Sequence, residues 1–167
     1  GGTFNNKSEI KGTITQSNGT FNNNSAYSGA TLTINGGTFD NNASLAPTNA
    51  IVNKGTLLTT GGNLGQAVTN SGTVGLEGGT LSKVITVGTV RFDSGTTTIA
   101  AASNLSNISA FTANGGSLST VGSNNQSYSL GTVTLTKTLN WELDVLGSTK
   151  VADVLNSTNS VSSGTIS

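Results

Sequence analysis

The chain has no histidine, no cysteine and no methionine, and a single proline, Pro47. Without His there is no side chain that ordinarily titrates near neutrality, and without Cys there is no thiol nucleophile, disulfide or zinc thiolate. Most familiar catalytic constellations go with them, and neither a cofactor nor a metal is expected. Charge is scarce too: seven basic and seven acidic residues make up 8% of the chain and cancel. Phosphate backbones and anionic membranes need a basic footprint that is missing here, so nucleic acid and bilayer surfaces are not expected partners. No run of about 18 apolar residues occurs, and the first residues are not a charged-then-apolar leader. This stretch is therefore expected to carry neither a membrane-spanning helix nor a signal peptide, and to be an excised piece if its parent is exported.

What fills the space is Thr, Gly, Ser and Asn, which together account for 94 of 167 residues. Such a bias can mean disorder, because polar tracts often bury too little apolar surface to offset backbone entropy. The arrangement of the apolar third argues for order. Gly2-Thr3-Phe4-Asn5-Asn6 recurs as Gly19-Thr20-Phe21-Asn22-Asn23 and Gly37-Thr38-Phe39-Asp40-Asn41, and Gly-Thr-apolar continues at Gly55, Gly72 and Gly88. Ala50–Leu57 aligns with Ala67–Val74 without a gap. A steady step of about 17 residues is the signature of a repeat architecture.

Within each unit Thr alternates with aliphatic residues, as in Thr31-Leu32-Thr33-Ile34 and Thr132-Val133-Thr134-Leu135. A period of two belongs to strands, and Gly and Asn between the runs suit tight corners. No helical apolar stripe is present. In-register identity favours a solenoid over a meander, because in a parallel β-helix each residue stacks on its equivalent one coil away. The expected fold is all-β, a right-handed parallel β-helix of the pectin-lyase-like kind with about 16–20 residues per coil. It makes roughly nine coils at ~4.8 Å each, a rod on the order of 40 Å long. Phe4, Phe21 and Phe39 are expected to stack inside. Asn6, Asn23 and Asn41, and likewise Asn53 and Asn70, are expected to form amide ladders. Residues 1–167 read as one β-helical segment, with regular repeats over 1–95, irregular coils over 96–138 and distinct C-terminal coils over 139–167. Pro47 is expected in a loop bulging from one coil, and Trp141 on the inward side of a strand, filling the core or capping the end.

The unit Ala30-Thr31-Leu32-Thr33-Ile34-Asn35-Gly36-Gly37-Thr38-Phe39-Asp40-Asn41-Asn42 resembles the repeats of bacterial autotransporter passengers and related polymorphic outer-membrane adhesins. Trp141-Glu142-Leu143-Asp144-Val145, with Ala152-Asp153-Val154-Leu155 and Gly164-Thr165-Ile166, is similar to the last passenger coils of that superfamily. The two resemblances cover about three quarters of the chain. They imply a right-handed β-helix displayed at the bacterial cell surface or outer membrane, exported through a C-terminal barrel that is not in this chain. The expected function is adhesive contact of a rod with a host surface protein, a glycan or another copy of itself. A carbohydrate-active enzyme or a phage tail-fibre segment on the same scaffold is the alternative.

Candidate chemistry is thin. Glu77 and Asp93 lie 16 apart, so adjacent coils bring two carboxylates together as glycoside hydrolysis requires, with Arg91 near enough to balance them. Solvated turn residues are the plainer reading, and no enzyme is expected. Glu142 and Asp144 share the outward face of a strand, where charge discourages edge pairing. No Gly-Gly-x-Gly-x-Asp calcium repeat occurs, and Asp40 and Asp93 are isolated. Thr-x-Thr pairs, such as Thr13/Thr15 and Thr96/Thr98, are not expected to hold one register from coil to coil, which argues against an ice-binding array.

Overall fold

A computed structural model of the chain describes residues 1–86, 88–101, 105, 108–120, 127–142, 145–146, 151–152 and 154–162. The chain winds as a parallel β-solenoid in which each regular coil contributes one short strand to each of three faces. The first face is a nine-stranded sheet: β1 (Thr3–Asn6), β3 (Thr20–Asn23), β5 (Thr38–Asn41), β7 (Thr56–Thr59), β10 (Thr73–Leu76), β13 (Thr89–Phe92), β15 (Ala110–Ala113), β17 (Ser127–Leu135) and β21 (Val154–Ser162). The second holds β8 (Asn63–Leu64), β11 (Gly79–Leu81), β14 (Thr96–Ile99), β16 (Ser117–Thr120) and β18 (Asn140–Glu142). Single bridges from Ile10 through Tyr27 and Leu45 to Leu64 extend it toward the N-terminus. The third holds β2 (Ile14–Gln16), β4 (Leu32–Ile34), β6 (Ile51–Asn53), β9 (Val68–Asn70) and β12 (Ile85–Thr86). Every pairing in these three sheets is parallel, and only the short β19 (Val145–Leu146) and β20 (Val151–Ala152) pair antiparallel.

The register is the repeat. Phe4 pairs with Phe21, Phe21 with Phe39, Phe39 with Leu57, Leu57 with Val74 and Val74 with Val90. The column continues through Phe111 and Val133, although Ala110-Phe111-Thr112-Ala113 has lost the Gly-Thr signature. Burial alternates as the period of two demands, so that Thr38 and Asp40 face out while Phe39 and Asn41 face in. Between Thr3 and Thr89 the step stays at 16 to 18 residues. It then lengthens to 21 from Thr89 to Ala110, 22 from Ala110 to Thr132 and 27 from Thr132 to Asn159, beyond the expected range.

The core is a thin file of aliphatic and aromatic side chains along the axis, from Leu32 and Phe39 to Leu118 and Trp141. Trp141 is 5% exposed, stacked on Phe111 at 5.9 Å and met edge-on by Tyr128 at 5.1 Å, in agreement with its expected role in the core. The phenylalanine stack forms with centroid spacings of 4.8 Å, but it does not lie wholly inside. Phe39 is fully buried, whereas Phe4 remains 55% exposed because β1 is the end of the sheet and no coil covers its ring. Pro47 corrects a second expectation. It is buried, and its segment is laddered on the coil before it through Ala46 N–H to Tyr27 O and Thr48 N–H to Gly29 O. Proline fits there because its neighbours carry the backbone bonds and its own missing donor is not needed.

Corners follow glycine where coils press closest. Gly37 has φ 74°, and a Cβ there would run into the carbonyl oxygen of Gly19, so both handedness and space require the bare residue. Buried asparagines finish the corners. Asn6 Nδ2 donates to Asn23 Oδ1 at 2.9 Å, and Asn23 Nδ2 to Asn41 Oδ1 at 2.9 Å. Asn53 Nδ2 donates to Asn70 Oδ1 at 2.8 Å, so both expected ladders exist.

Candidate functional site

The outward side of the first face is built by the same register that builds the core. Thr3, Thr20, Thr38, Thr56, Thr73 and Thr89 pair in sequence, giving a file of hydroxyls six rungs long before Ala110 interrupts it and Thr132 resumes it. These Thr hold one register, as the Gly-Thr-apolar repeat implies, in a file of single residues. The Thr-x-Thr pairs fare as expected: Thr15 stacks on Thr33, and Val52 then breaks the column before Thr69 and Thr86. Beside the Thr file the next outward column reads Asn5, Asn22, Asp40, Leu58, Gly75 and Arg91. Its mixture of long, short and charged side chains prevents the flat repeating lattice that ordered water would need.

A third column follows immediately after the strands. Asn42 Nδ2 donates to Asn24 Oδ1 at 3.2 Å, and the Thr60 hydroxyl donates to both Asn42 Oδ1 and Asp40 Oδ1. Two coils further on, Asn114 Nδ2 donates to Asp93 Oδ1 at 2.6 Å and the Thr136 hydroxyl to Asn114 Oδ1 at 2.6 Å. Between these segments stand Glu77 and Asp93, which directly follow the paired residues Leu76 and Phe92. The spacing of 16 does bring the two carboxylates to neighbouring rungs. Arg91 forms an ion pair with Asp93. Gly75 leaves a notch beside which stand Arg91 Nη2 and Glu77 Oε1, each 3.9 Å from where a Cβ would be.

Partial burial pushes the Glu77 carboxyl above its ordinary value, the Asp93 charge raises it further, and Arg91 opposes both. Glycosidases hold their carboxyls ~5–9.5 Å apart, with the scissile bond between them. Glu77 and Asp93 stand on neighbouring rungs of one polar column. Asp40 lies on the same face and adds to the negative field at Glu77. Among the described residues no group of three or more acidic, His or Cys side chains is placed to hold a metal ion. Glu142 pairs with Ser119 at the edge of the second face, while Asp144 falls outside the described residues.

The sequence pointed to the ladder residues and the Thr file but not to the column that follows the strands, because outward identity is looser there than inward identity. Thr3 to Thr89 were legible as part of Gly-Thr-apolar. Asn24, Asn42, Thr60, Glu77, Asp93, Asn114 and Thr136 share only polarity and position, and the register alone reveals them as one column. Comparison of the chain with protein-family models, with curated proteins and with solved structures finds no match.

Proposed function

We propose that this solenoid is a contact rod: a surface-displayed, passenger-like segment of a bacterial autotransporter-type protein that adheres through its first face to a host surface protein, a glycan or a second rod. The observation that carries the reading is the first face itself. A threonine file six rungs long runs beside a polar column that is hydrogen-bonded in two segments, Asn24–Asn42–Thr60 and Asp93–Asn114–Thr136. Hydroxyls and amides at a rung spacing of ~4.8 Å offer many weak, repeated hydrogen bonds, which suits an extended shallow partner better than a small ligand. Repeat faces of this kind bind by area, each rung contributing little and the row contributing together.

The test is display of the segment on a bacterial surface, with adherence to host cells and cell-to-cell clumping measured against a display control. Adherence should fall when the segment is deleted. It should also fall when Thr38 and Thr56 are both changed to Lys, because two long cations interrupt the file without touching the core. Adherence equal to the control, or unaffected by the double change, would refute the assignment of this face.

A further inference from the structure

Three Asn-Gly steps occur in the chain, Asn18-Gly19, Asn35-Gly36 and Asn114-Gly115, and each turns a corner of the solenoid. An asparagine followed by glycine carries its own reagent. The glycine nitrogen can attack the side-chain amide carbon because no Cβ on that glycine blocks the approach. Attack also needs a side-chain amide free to turn its face to the nitrogen, a glycine N–H free to lose its proton, and solvent at both.

The three corners differ in these respects. Asn114 is held at both ends, its Nδ2 donating to Asp93 Oδ1 at 2.6 Å and its Oδ1 accepting from the Thr136 hydroxyl at 2.6 Å. Asn18 Oδ1 accepts from Gly19 N–H at 2.8 Å. A hydrogen-bonded proton lies near the plane of the carbonyl, so this contact aims the nitrogen at the edge of the amide and not at its face. Asn35 is exposed, and among the described residues neither its side-chain amide nor the Gly36 N–H has a hydrogen-bond partner.

The repeat explains the difference. The corners Lys54-Gly55 and Ser71-Gly72 have two residues, and the ladder closes the second of them: Gly72 N–H donates to Asn70 Oδ1 at 3.1 Å and to Asn53 O at 3.2 Å. Asn35-Gly36-Gly37 puts three residues between β4 and β5, and the place held by Asn53 and Asn70 in later coils is taken by Ile34, which has no side-chain acceptor. A Cβ at Gly36 would stand 2.7 Å from Ser17 O, so the longer corner holds glycine at its centre. It has a coil on either side, with Asn35 N–H donating to Gln16 O at 2.7 Å and Lys54 N–H to Ile34 O at 2.7 Å.

We infer that Asn35-Gly36 is a self-modifying site, at which the asparagine converts to aspartate and isoaspartate with water as co-reactant. Gly36 N–H gives its proton to solvent hydroxide, and the nitrogen bonds to Asn35 Cγ. The bond from Cγ to Nδ2 breaks, and Nδ2 takes a proton and leaves as ammonia. Water then opens the cyclic imide. Cleavage of the new Cγ–N bond gives aspartate, whereas cleavage of the backbone C–N bond gives isoaspartate, with the chain running through the side chain. The product carboxylate stands on the rung next to Lys54, an exposed cation with no ion pair among the described residues. Conversion thus adds an acidic group beside Lys54 at the rim of a face that carries little charge. The inference concerns the chemistry of this corner and does not rest on the adhesive reading.

The test ages the folded chain in mildly alkaline buffer and follows each Asn-Gly step by peptide mass mapping. Asn35 should convert ahead of both others. Asn114 must give up two hydrogen bonds before it can turn, and should be slower than Asn35 by about 10-fold or more. Thr136→Val removes one of those bonds and should speed Asn114 by about 5-fold while leaving Asn35 unchanged. In guanidinium chloride the corners are gone, and the three steps should react at similar rates. Asn35 no faster than the other two in the folded chain overturns the proposal. So does a preference for Asn35 that persists in guanidinium chloride, since local sequence and not the corner would then set it. An Asn114 rate unmoved by Thr136→Val overturns it as well, because hydrogen bonding would not be what protects a corner.

Discussion

Replacing Asn23 with Leu tests whether the buried amides hold the coils together or merely fill a corner. Asn23 is fully buried, and its side-chain amide both accepts from Asn6 of the coil before it and donates to Asn41 of the coil after it, each at 2.9 Å. Leucine keeps the number and branching of the side-chain heavy atoms and removes both bonds. Asn41 Oδ1 is then left in a fully buried site without its donor, at about 1–3 kcal/mol for a stripped acceptor. Asn6 Nδ2 keeps only its longer contact to Ser25 O at 3.4 Å, a loss of about 1 kcal/mol. The added apolar atoms return about 1 kcal/mol. The net loss is about 1–3 kcal/mol, which in a chain of this size lowers Tm by about 2–12 °C. Urea unfolding followed by circular dichroism measures it. The double variant Asn23→Leu/Asn41→Leu removes the donor and the stripped acceptor together. It should cost about 1–2 kcal/mol less than the sum of the two single changes. A neutral Asn23→Leu, or strict additivity of the pair, would refute the claim that the ladder is an energetic unit.

Three other perturbations separate the interior from the end and the corners. Phe39→Ala empties a fully buried site and should cost about 3–5 kcal/mol, whereas Phe4→Ala, at a ring still half in water, should cost about 1 kcal/mol; equal losses by thermal melting would contradict the open end. Gly37→Ala should be strongly destabilising, since it needs both φ 74° and the space held by the Gly19 carbonyl, while Gly12→Ala meets nothing within 4 Å and should change stability by less than about 1 kcal/mol. The Glu77 carboxyl is raised above 4.5 by burial first and by Asp93 second, so the folded chain binds its proton more tightly than the unfolded one. Stability is then lost as pH rises from 4.5 through the raised value. Glu77→Gln should melt higher than the parent at pH 7 and converge with it on acidification below 4.5, so parallel melting profiles across pH would refute the assignment.

The inward columns were legible because they obey two constraints at once, the alternation of a strand and stacking on an identical neighbour. Phe21 above Phe39 and Asn53 above Asn70 are readable from spacing alone. Where only one constraint acts, spacing fails. Ala110-Phe111-Thr112-Ala113 keeps the alternation but not the corner glycine, so the coil that carries it looked irregular although its register continues. Pro47 looked like a break because a proline usually ends a ladder, yet the bonds of Ala46 and Thr48 flank a position that needs no donor. The ends were illegible for another reason. Phe4 and Phe21 sit in identical pentapeptides, and nothing local distinguishes a ring with a neighbour on both sides from a ring with one.

The direction of the ladders is the property that composition could least reveal, and it bears most on what the molecule does. An Asn column is symmetric in sequence but polar in structure, with N–H leaving one end and carbonyl oxygen left at the other. Asn53 shows the consequence inside the rod. Its register partner in the coil before is Ile34, and its Oδ1 is left without a partner although buried. Gln16 shows the same consequence at the end. A rod built this way is directional along its axis, each ladder amide offering N–H to the next coil and its oxygen to the one before. Along its sides the reverse holds: the Thr file and the polar column repeat without direction or strong charge, so contact there is set by length and spacing. Directional along its core and undirected along its face, the solenoid can be perturbed at each separately, by Asn23→Leu and by the Thr38/Thr56 change.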